Sequence, residues 1–188
     1  MASTSVVEQA EQTLTPGLRA RAEYFEPHWY AAYTCANHEK RVVQQFQRRS
    51  VECFLPLYES VRRWKDRRVR LHLPLFPGYV FVRIALKEQL RVLDTPSVVR
   101  LVSFNGLPTA LPYEEIEGLR NGLIWRLHAR PHPFLNAGRR VRIKSGPLVG
   151  MEGILVRTKS NLRVVLSLNL IVRSIAVDID LADLEPVI

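Results

Sequence analysis

His128 and His132 stand four residues apart, the spacing of two metal ligands on one helical face, but Pro131 breaks any helix between them and no carboxylate or cysteine clusters nearby. Asp178, Asp180 and Asp183 lack the glycine and the twelfth-position glutamate of a calcium loop. Neither a phosphate-binding glycine loop nor a nucleophile motif is present. No catalytic residue, cofactor or metal is therefore expected, and the chain does not read as an enzyme. What remains is recognition chemistry. Arg41, Gln45, Arg48 and Arg49 fall at i, i+4, i+7 and i+8 and share one stripe of a helix. Guanidinium and amide groups in that array suit phosphates and base edges, and also suit a plain solvated face. Within 61–70, Arg62, Arg63, Lys65, Arg67, Arg68 and Arg70 surround a single Asp66. Trp64 inside that run has the right type to stack on a base or to pack across strands.

A third candidate is the run Pro74-Leu75-Phe76-Pro77-Gly78-Tyr79-Val80-Phe81-Val82. Pro77 fixes φ and Gly78 permits a positive one, so a rigid turn is expected directly ahead of an apolar strand. Phe76, Tyr79 and Phe81 supply more aromatic surface than a turn needs, which fits a docking surface for another protein. The same aromatics fit a sheet core, Phe81 and Trp29 most of all.

The elements that must position these residues follow from pattern. Residues 1–27 show no sustained periodicity and contain Thr15-Pro16-Gly17, so they read as a flexible tail with a short helix over 18–25. Trp29-Tyr30-Ala31-Ala32-Tyr33 opens a strand. Asn37 suits an N-cap, with Glu39 in the first helical turn where it favours the dipole, and Val42, Val43 and Phe46 facing inward. Residues 52–64 read as extended and Val69-Arg70-Leu71-His72-Leu73 as the return strand of a hairpin with a basic tip. A strand over 79–84 follows, then a short helix with Leu86, Leu90 and Leu93, a strand over 97–103, and a helix opened by Pro112 that carries Ile116, Leu119, Leu123 and Leu127, weakened by Gly118 and Gly122. That order implies an antiparallel α+β sandwich spanning 28–129. Residues 130–136, with Pro131 and Pro133, read as a stiffened linker. From 137 to 188 the pattern is short strands without helical period, as expected of a small closed barrel.

Bulk properties agree with two small domains. The chain has 188 residues, of which 47% are hydrophobic, and carries a net charge of +9. No apolar run approaches a membrane span, and the N-terminus lacks the basic-then-apolar order of a secretory leader. Cys35 and Cys53 form no CxxC pair, which fits buried thiols in a reducing cytoplasm. Residues 1–27 hold two basic and four acidic groups, whereas 28–136 hold seventeen and nine, so the middle segment is the one that should face a polyanion.

Gly138-Arg139-Arg140-Val141-Arg142-Ile143 followed by Gly146-Pro147-Leu148-Val149-Gly150-Met151-Glu152-Gly153 resembles the KOW motif of SH3-like barrels. Taken with Trp29-Tyr30 opening a first strand, a helix, and the Phe76-Pro77-Gly78-Tyr79 turn, the chain from about residue 28 to its end resembles the NusG family of transcription elongation factors. Glu52-Cys53-Phe54-Leu55-Pro56 and Pro74-Leu75-Phe76-Pro77 look more like its specialised RfaH and UpxY paralogues, which antiterminate particular operons, often polysaccharide clusters. The resemblance implies a cytoplasmic, monomeric, non-enzymatic factor with an NGN domain followed by a KOW barrel. It further implies that Phe76, Pro77, Tyr79 and Phe81, with Trp29 and Tyr30 nearby, meet the clamp helices of RNA polymerase. It places Arg41, Gln45, Arg48 and Arg49 at non-template DNA and Arg62, Arg63, Lys65, Arg67 and Arg68 near upstream DNA. Leu170, Ile171 and Val172 match the barrel loop that contacts Rho or a ribosomal small-subunit protein. Ile171 stands where housekeeping NusG has an aromatic, which counts against Rho. A competing class, an RNA- or ribosome-binding KOW module without polymerase, accounts for the charge and the barrel glycines but not for the turn.

Overall fold

The computed structural model of the chain describes residues 24–64, 67–124, 129–132, 138–157, 162–180 and 183–187. Strand β1 (His28–Thr34) leads to helix α1 (Glu39–Arg48), short β2 (Glu52–Phe54), and the hairpin β3 (Leu57–Trp64) and β4 (Arg67–Pro74). Strand β5 (Tyr79–Ile84) is followed by a 3-10 turn (Leu86–Glu88) running into α2 (Gln89–Leu93), then β6 (Val98–Leu101), a small β7 (Ser103–Phe104) and β8 (Leu107–Pro108) hairpin, and α3 (Tyr113–Ile124). The rest is β9 (Ala129–His132), β10 (Arg140–Ile143), β11 (Glu152–Arg157), β12 (Leu162–Leu168), a 3-10 turn (Asn169–Ile171), β13 (Arg173–Asp178) and β14 (Leu184–Pro186).

The first region is an antiparallel four-stranded sheet in the order β2-β5-β1-β6. Its pleat sorts side chains into two layers. Tyr30 pairs with Val82 and Ala32 with Val80, and these four pack under Val42 and Phe46 of α1 and Val92 of α2. Trp29, Ala31 and Phe81 point to the other side, where Phe76 and Ile116 and Leu119 of α3 cover them. Burying side chains of this size contributes about 2 kcal/mol each, so both faces of the sheet are committed to core. The second region is an antiparallel six-stranded sheet in the order β14-β10-β11-β12-β13-β9, the all-β unit expected after the α+β one. The turn at 146–150 uses Gly146 and Gly150 at φ 86° and 87°, a conformation glycine adopts without a Cβ clash.

Four local expectations change. Asn37 is not the N-cap. It takes a left-handed φ of 61° and His38 occupies the cap, its Nδ1 2.8 Å from the Ser97 hydroxyl. In α2 the inward residue is Val92, while Leu90 is 63% exposed, because the five-residue helix presents only one position to the sheet. The strand expected over 97–103 ends at Leu101, and 103–108 form their own hairpin across Asn105-Gly106, a pair with positive φ at both central positions. Residues 129–132, read as the end of one domain and the start of a linker, are edge strand β9, with Pro131 opposite Ile175. An edge tolerates Pro131 because the missing N–H costs no ladder bond on the outer side. The tail before residue 24, Lys65, Asp66, Leu127, His128 and residues 133–136 lie outside the described residues.

Candidate functional site

The turn at 76–79 is built as its residues dictate. Tyr79 N–H donates to the Phe76 carbonyl at 3.1 Å, and Gly78 sits at φ 85°, which with Pro77 at the preceding position is the pattern of a type II turn. Both polar groups of Gly78 are held. Its carbonyl accepts from Thr34 N–H at 2.9 Å, and its N–H donates to Glu39 Oε1 at 2.7 Å. Glu39 is 4% exposed and sits on the inward face of α1 with Val42 and Phe46. That carboxylate contact was not foreseen. The available signal was a lone acidic residue three and seven positions before two core residues on one helical face.

Around the turn the aromatics divide. Pro77 is exposed and Tyr79 half-buried, with its ring 5.4 Å from that of Tyr33. Phe76 and Phe81 are 1% and 0% exposed and meet edge to face at 5.7 Å, while Phe54 stacks on Phe81 at 6.2 Å. Trp29 is core at 1% exposed, its indole lying under the Arg120 guanidinium at 5.1 Å. Tyr30, at 0%, belongs to the layer beneath α1, on the side of the sheet away from Phe81. Of the six aromatic-turn residues singled out, Pro77 and Tyr79 reach the surface and the other four are interior.

Tyr30 is covered by α1, whereas Trp29, Phe76 and Phe81 belong to a core that the second sheet shares. One continuous cluster of buried residues runs from Trp29, Phe76 and Phe81 through Leu75 and Leu119 to Leu148, Ile175 and Val177. Leu75, Leu119, Gly122 and Leu123 line one apolar cavity together with Ala129, Leu148, Ile175 and Val177. A Cβ on Gly118 of α3 would lie 2.8 Å from Met151 Sδ. Arg173, at the start of β13, holds its guanidinium 5.8 Å from the Tyr79 ring centroid. The barrel thus packs on α3 and on the turn itself. Of the barrel loop, Ile171 is 3% exposed, Leu170 is half-buried against the cluster, and Val172 is 53% exposed at a left-handed φ of 50°.

The basic candidates form two groups. On α1, Arg41 and Arg48 are exposed and Gln45 is half-buried, donating to the Pro96 carbonyl at 3.4 Å. Arg49 donates to the carbonyls of Arg91 and Asp94, both at 3.3 Å, while Arg91 returns a bond to the Arg49 carbonyl, so Arg49 also fastens α1 to α2. In the hairpin, Arg62, Arg63, Arg67, Arg68 and Arg70 are all exposed. The register puts Arg63 opposite Arg68 and Val61 opposite Arg70, so Arg63, Arg68 and Arg70 share one face while Arg62 lies on the other. Glu59 offsets one of these charges through a 3.6 Å ion pair with Arg70. Unopposed guanidinium groups on one ribbon face repel one another unless a polyanion lies there.

Among the described residues, no group of three or more His, Cys, Asp or Glu is placed to hold a metal ion. No described helix is long and apolar enough to cross a membrane. Burial, and to a lesser extent the Glu52 charge, pushes the Cys53 thiol up, which suits an inert interior thiol, whereas Cys35 is exposed.

Comparison with known proteins agrees with the fold. The family described as transcription termination factor nusG matches residues 27–120, half of the chain. The transcription termination/antitermination protein NusG of Campylobacter jejuni is 28% identical over 174 residues, covering 85% of this chain and 97% of the relative. Its counterpart in Helicobacter pylori strain J99 is 26% identical over 131 residues, covering 63% and 74%. A solved structure described as domain interaction in Thermotoga maritima NusG shares the fold, with a TM-score of 0.56 and 20% identity over 85% of this chain and 97% of that one. The chain belongs to the NusG family of transcription termination and antitermination factors.

Proposed function

We propose that this chain is a specialised NusG-type factor, of the UpxY and RfaH kind, whose first domain docks on the clamp helices of RNA polymerase and suppresses pausing and termination. Factors of this family act with RNA polymerase in transcription and are not enzymes. The observation that carries the reading is the Phe76-Pro77-Gly78-Tyr79 turn. It is anchored at Gly78 from two sides, which lowers the ordering cost of binding through Pro77 and Tyr79. A rigid aromatic anchor over an apolar base is the arrangement that dominates interface energies, and a helix pair offers the ridge to receive it. The family match favours this over an RNA- or ribosome-binding module that ignores polymerase. The specialised assignment rests on the Glu52-Cys53-Phe54-Leu55-Pro56 and Pro74-Leu75-Phe76-Pro77 motifs.

Binding is the whole mechanism. A factor that prefers the closed clamp shifts the polymerase population towards it. Arg41, Gln45, Arg48 and Arg49 face the non-template strand and the hairpin arginines upstream DNA, adding salt-sensitive affinity. Pro77 and Tyr79 supply the contact surface, while Phe76 and Phe81 lie beneath them in the core, with Ile116 and Leu119 of α3 over the same layer, and support the turn from below. The KOW barrel in turn offers Val172, with half-buried Leu170 beside it, to a second partner, a ribosomal small-subunit protein or Rho, while Ile171 supports that loop from the interior. Because Arg173 next to that loop covers Tyr79, occupying either site favours release of the other. A photoreactive phenylalanine analogue at position 79 of the full chain is expected to crosslink to the polymerase clamp helices. Crosslinks confined to nucleic acid or ribosomal protein would transfer the function to the competing class.

A further inference from the structure

Glu39 places a carboxylate where the helix pattern calls for an apolar residue. It shares the inward face of α1 with Val42 and Phe46, both 0% exposed, and burying a charge there is costly unless something specific receives it. What receives it is the Gly78 N–H at 2.7 Å. In a type II turn that N–H takes no part in the turn's own hydrogen bond, which runs from Tyr79 N–H to the Phe76 carbonyl. Gly78 is itself buried, and Tyr33 closes the space beside it, since a Cβ there would sit 3.3 Å from Tyr33 Cε2. Without Glu39 the turn would keep an orphaned buried donor at the residue just before Tyr79.

We infer that Glu39 is the positioning residue of the polymerase-docking turn. It acts through Gly78 on Tyr79 and fixes that turn to the helix carrying Arg41, Gln45 and Arg48. The inference rests on the proposed polymerase reading and names the group that sets its geometry. Glu39 belongs to the same ten-residue helix as the arginine stripe, so one charge-assisted bond fixes the offset between the polymerase face and the DNA face. Nothing in the contact requires Glu39 to touch either partner.

The test is a double-mutant cycle on the full chain binding core RNA polymerase, read beside amide hydrogen exchange of the free protein. Glu39→Ala is expected to weaken polymerase binding about tenfold, the size of an orphaned buried donor's effect. Glu39→Gln, which keeps an acceptor oxygen at the same reach, recovers most of the loss. Combined with Tyr79→Ala, Glu39→Ala adds nothing further, because its effect passes through Tyr79. Losses that multiply in the double variant, or unchanged binding by Glu39→Ala where Tyr79→Ala binds weakly, overturn the inference. In the exchange arm the Gly78 amide is expected to exchange at least tenfold faster in Glu39→Ala while Val80 and Val82 keep their protection. Unchanged Gly78 exchange overturns the inference by itself. Should Tyr79→Ala bind polymerase as tightly as wild type, the polymerase reading fails and the exchange arm alone decides what Glu39 does. If Glu39→Ala does not fold, Glu39→Asp carries the same comparisons, keeping the charge but shortening the reach by one methylene.

Discussion

Glu115 should make the protein less stable as pH rises through neutrality. It lies in the first turn of α3, beside Glu114 and one turn before Gly118, which faces Met151 of the barrel. Burial, and secondarily the Glu114 charge, push its carboxyl from 4.5 to about 7. Below pH 4.5 the folded and unfolded chains both carry the proton, so no stability is lost there. Between 4.5 and about 7 the unfolded chain ionises while the folded chain still holds the proton, and stability falls. Above 7 the folded state bears the full penalty. At 1.36 kcal/mol per pH unit the limit is about 3 kcal/mol, and partial contact with water brings the expectation to about 2 kcal/mol. Glu115→Gln removes the titration. In urea denaturation from pH 5 to pH 8, the variant should gain on wild type as pH rises and exceed it by about 2 kcal/mol at pH 8. A difference that stays constant across that range would refute the argument, because any packing effect of the amide is independent of pH.

Three further outcomes follow from single contacts. Gly78→Ala should cost about 1–2 kcal/mol in thermal or urea denaturation, since φ is 85° and the new Cβ meets Tyr33 at 3.3 Å; a neutral result would mean the turn is not held as described. Gly153→Ala should destabilise the barrel by about 2 kcal/mol or more, because its Cβ would come within 2.5 Å of Val164 Cγ1 and 2.7 Å of the Val165 carbonyl; intact stability would require β11 and β12 to separate at no cost. Arg41→Ala and Arg48→Ala should each lower the salt dependence of single-stranded DNA binding by about 0.7 in log–log slope without changing the melting temperature, and an unaltered slope would assign those residues to a plain solvated face.

The chain's architecture was largely open to sequence reading because its signals are local. Strand β5 was expected and found over 79–84, since a Pro-Gly turn abuts an apolar run. Helix α3 starts at Tyr113, after Pro112 as expected. Signals that serve two conformations were not decisive. Asn37 is a residue type suited both to capping and to left-handed φ, and the contact between His38 and Ser97, 59 positions apart, favours the second. Pro131 reads as linker until β13 supplies a partner strand some forty residues later. The candidate residues stand out in the sequence by type, but their exposure does not. Trp29, Phe76 and Phe81 are interior because β5, β1 and α3 converge on them and the barrel returns from far along the chain to cover α3, and Tyr30 is interior because α1 packs over the other face of the sheet. Glu39 could be seen as a charge near a helix start; that it reaches Gly78 depends on β1 and β5 lying side by side.

The most direct test of the account is the affinity of the full chain for core RNA polymerase, wild type against Tyr79→Ala, at fixed salt. Truncating an interface anchor should weaken binding by roughly 1–3 kcal/mol, about five- to 150-fold, while the melting temperature changes little because Tyr79 is only half-buried. Equal affinity of the two proteins, with wild type folded and bound, would contradict the claim that this turn is the polymerase-docking site.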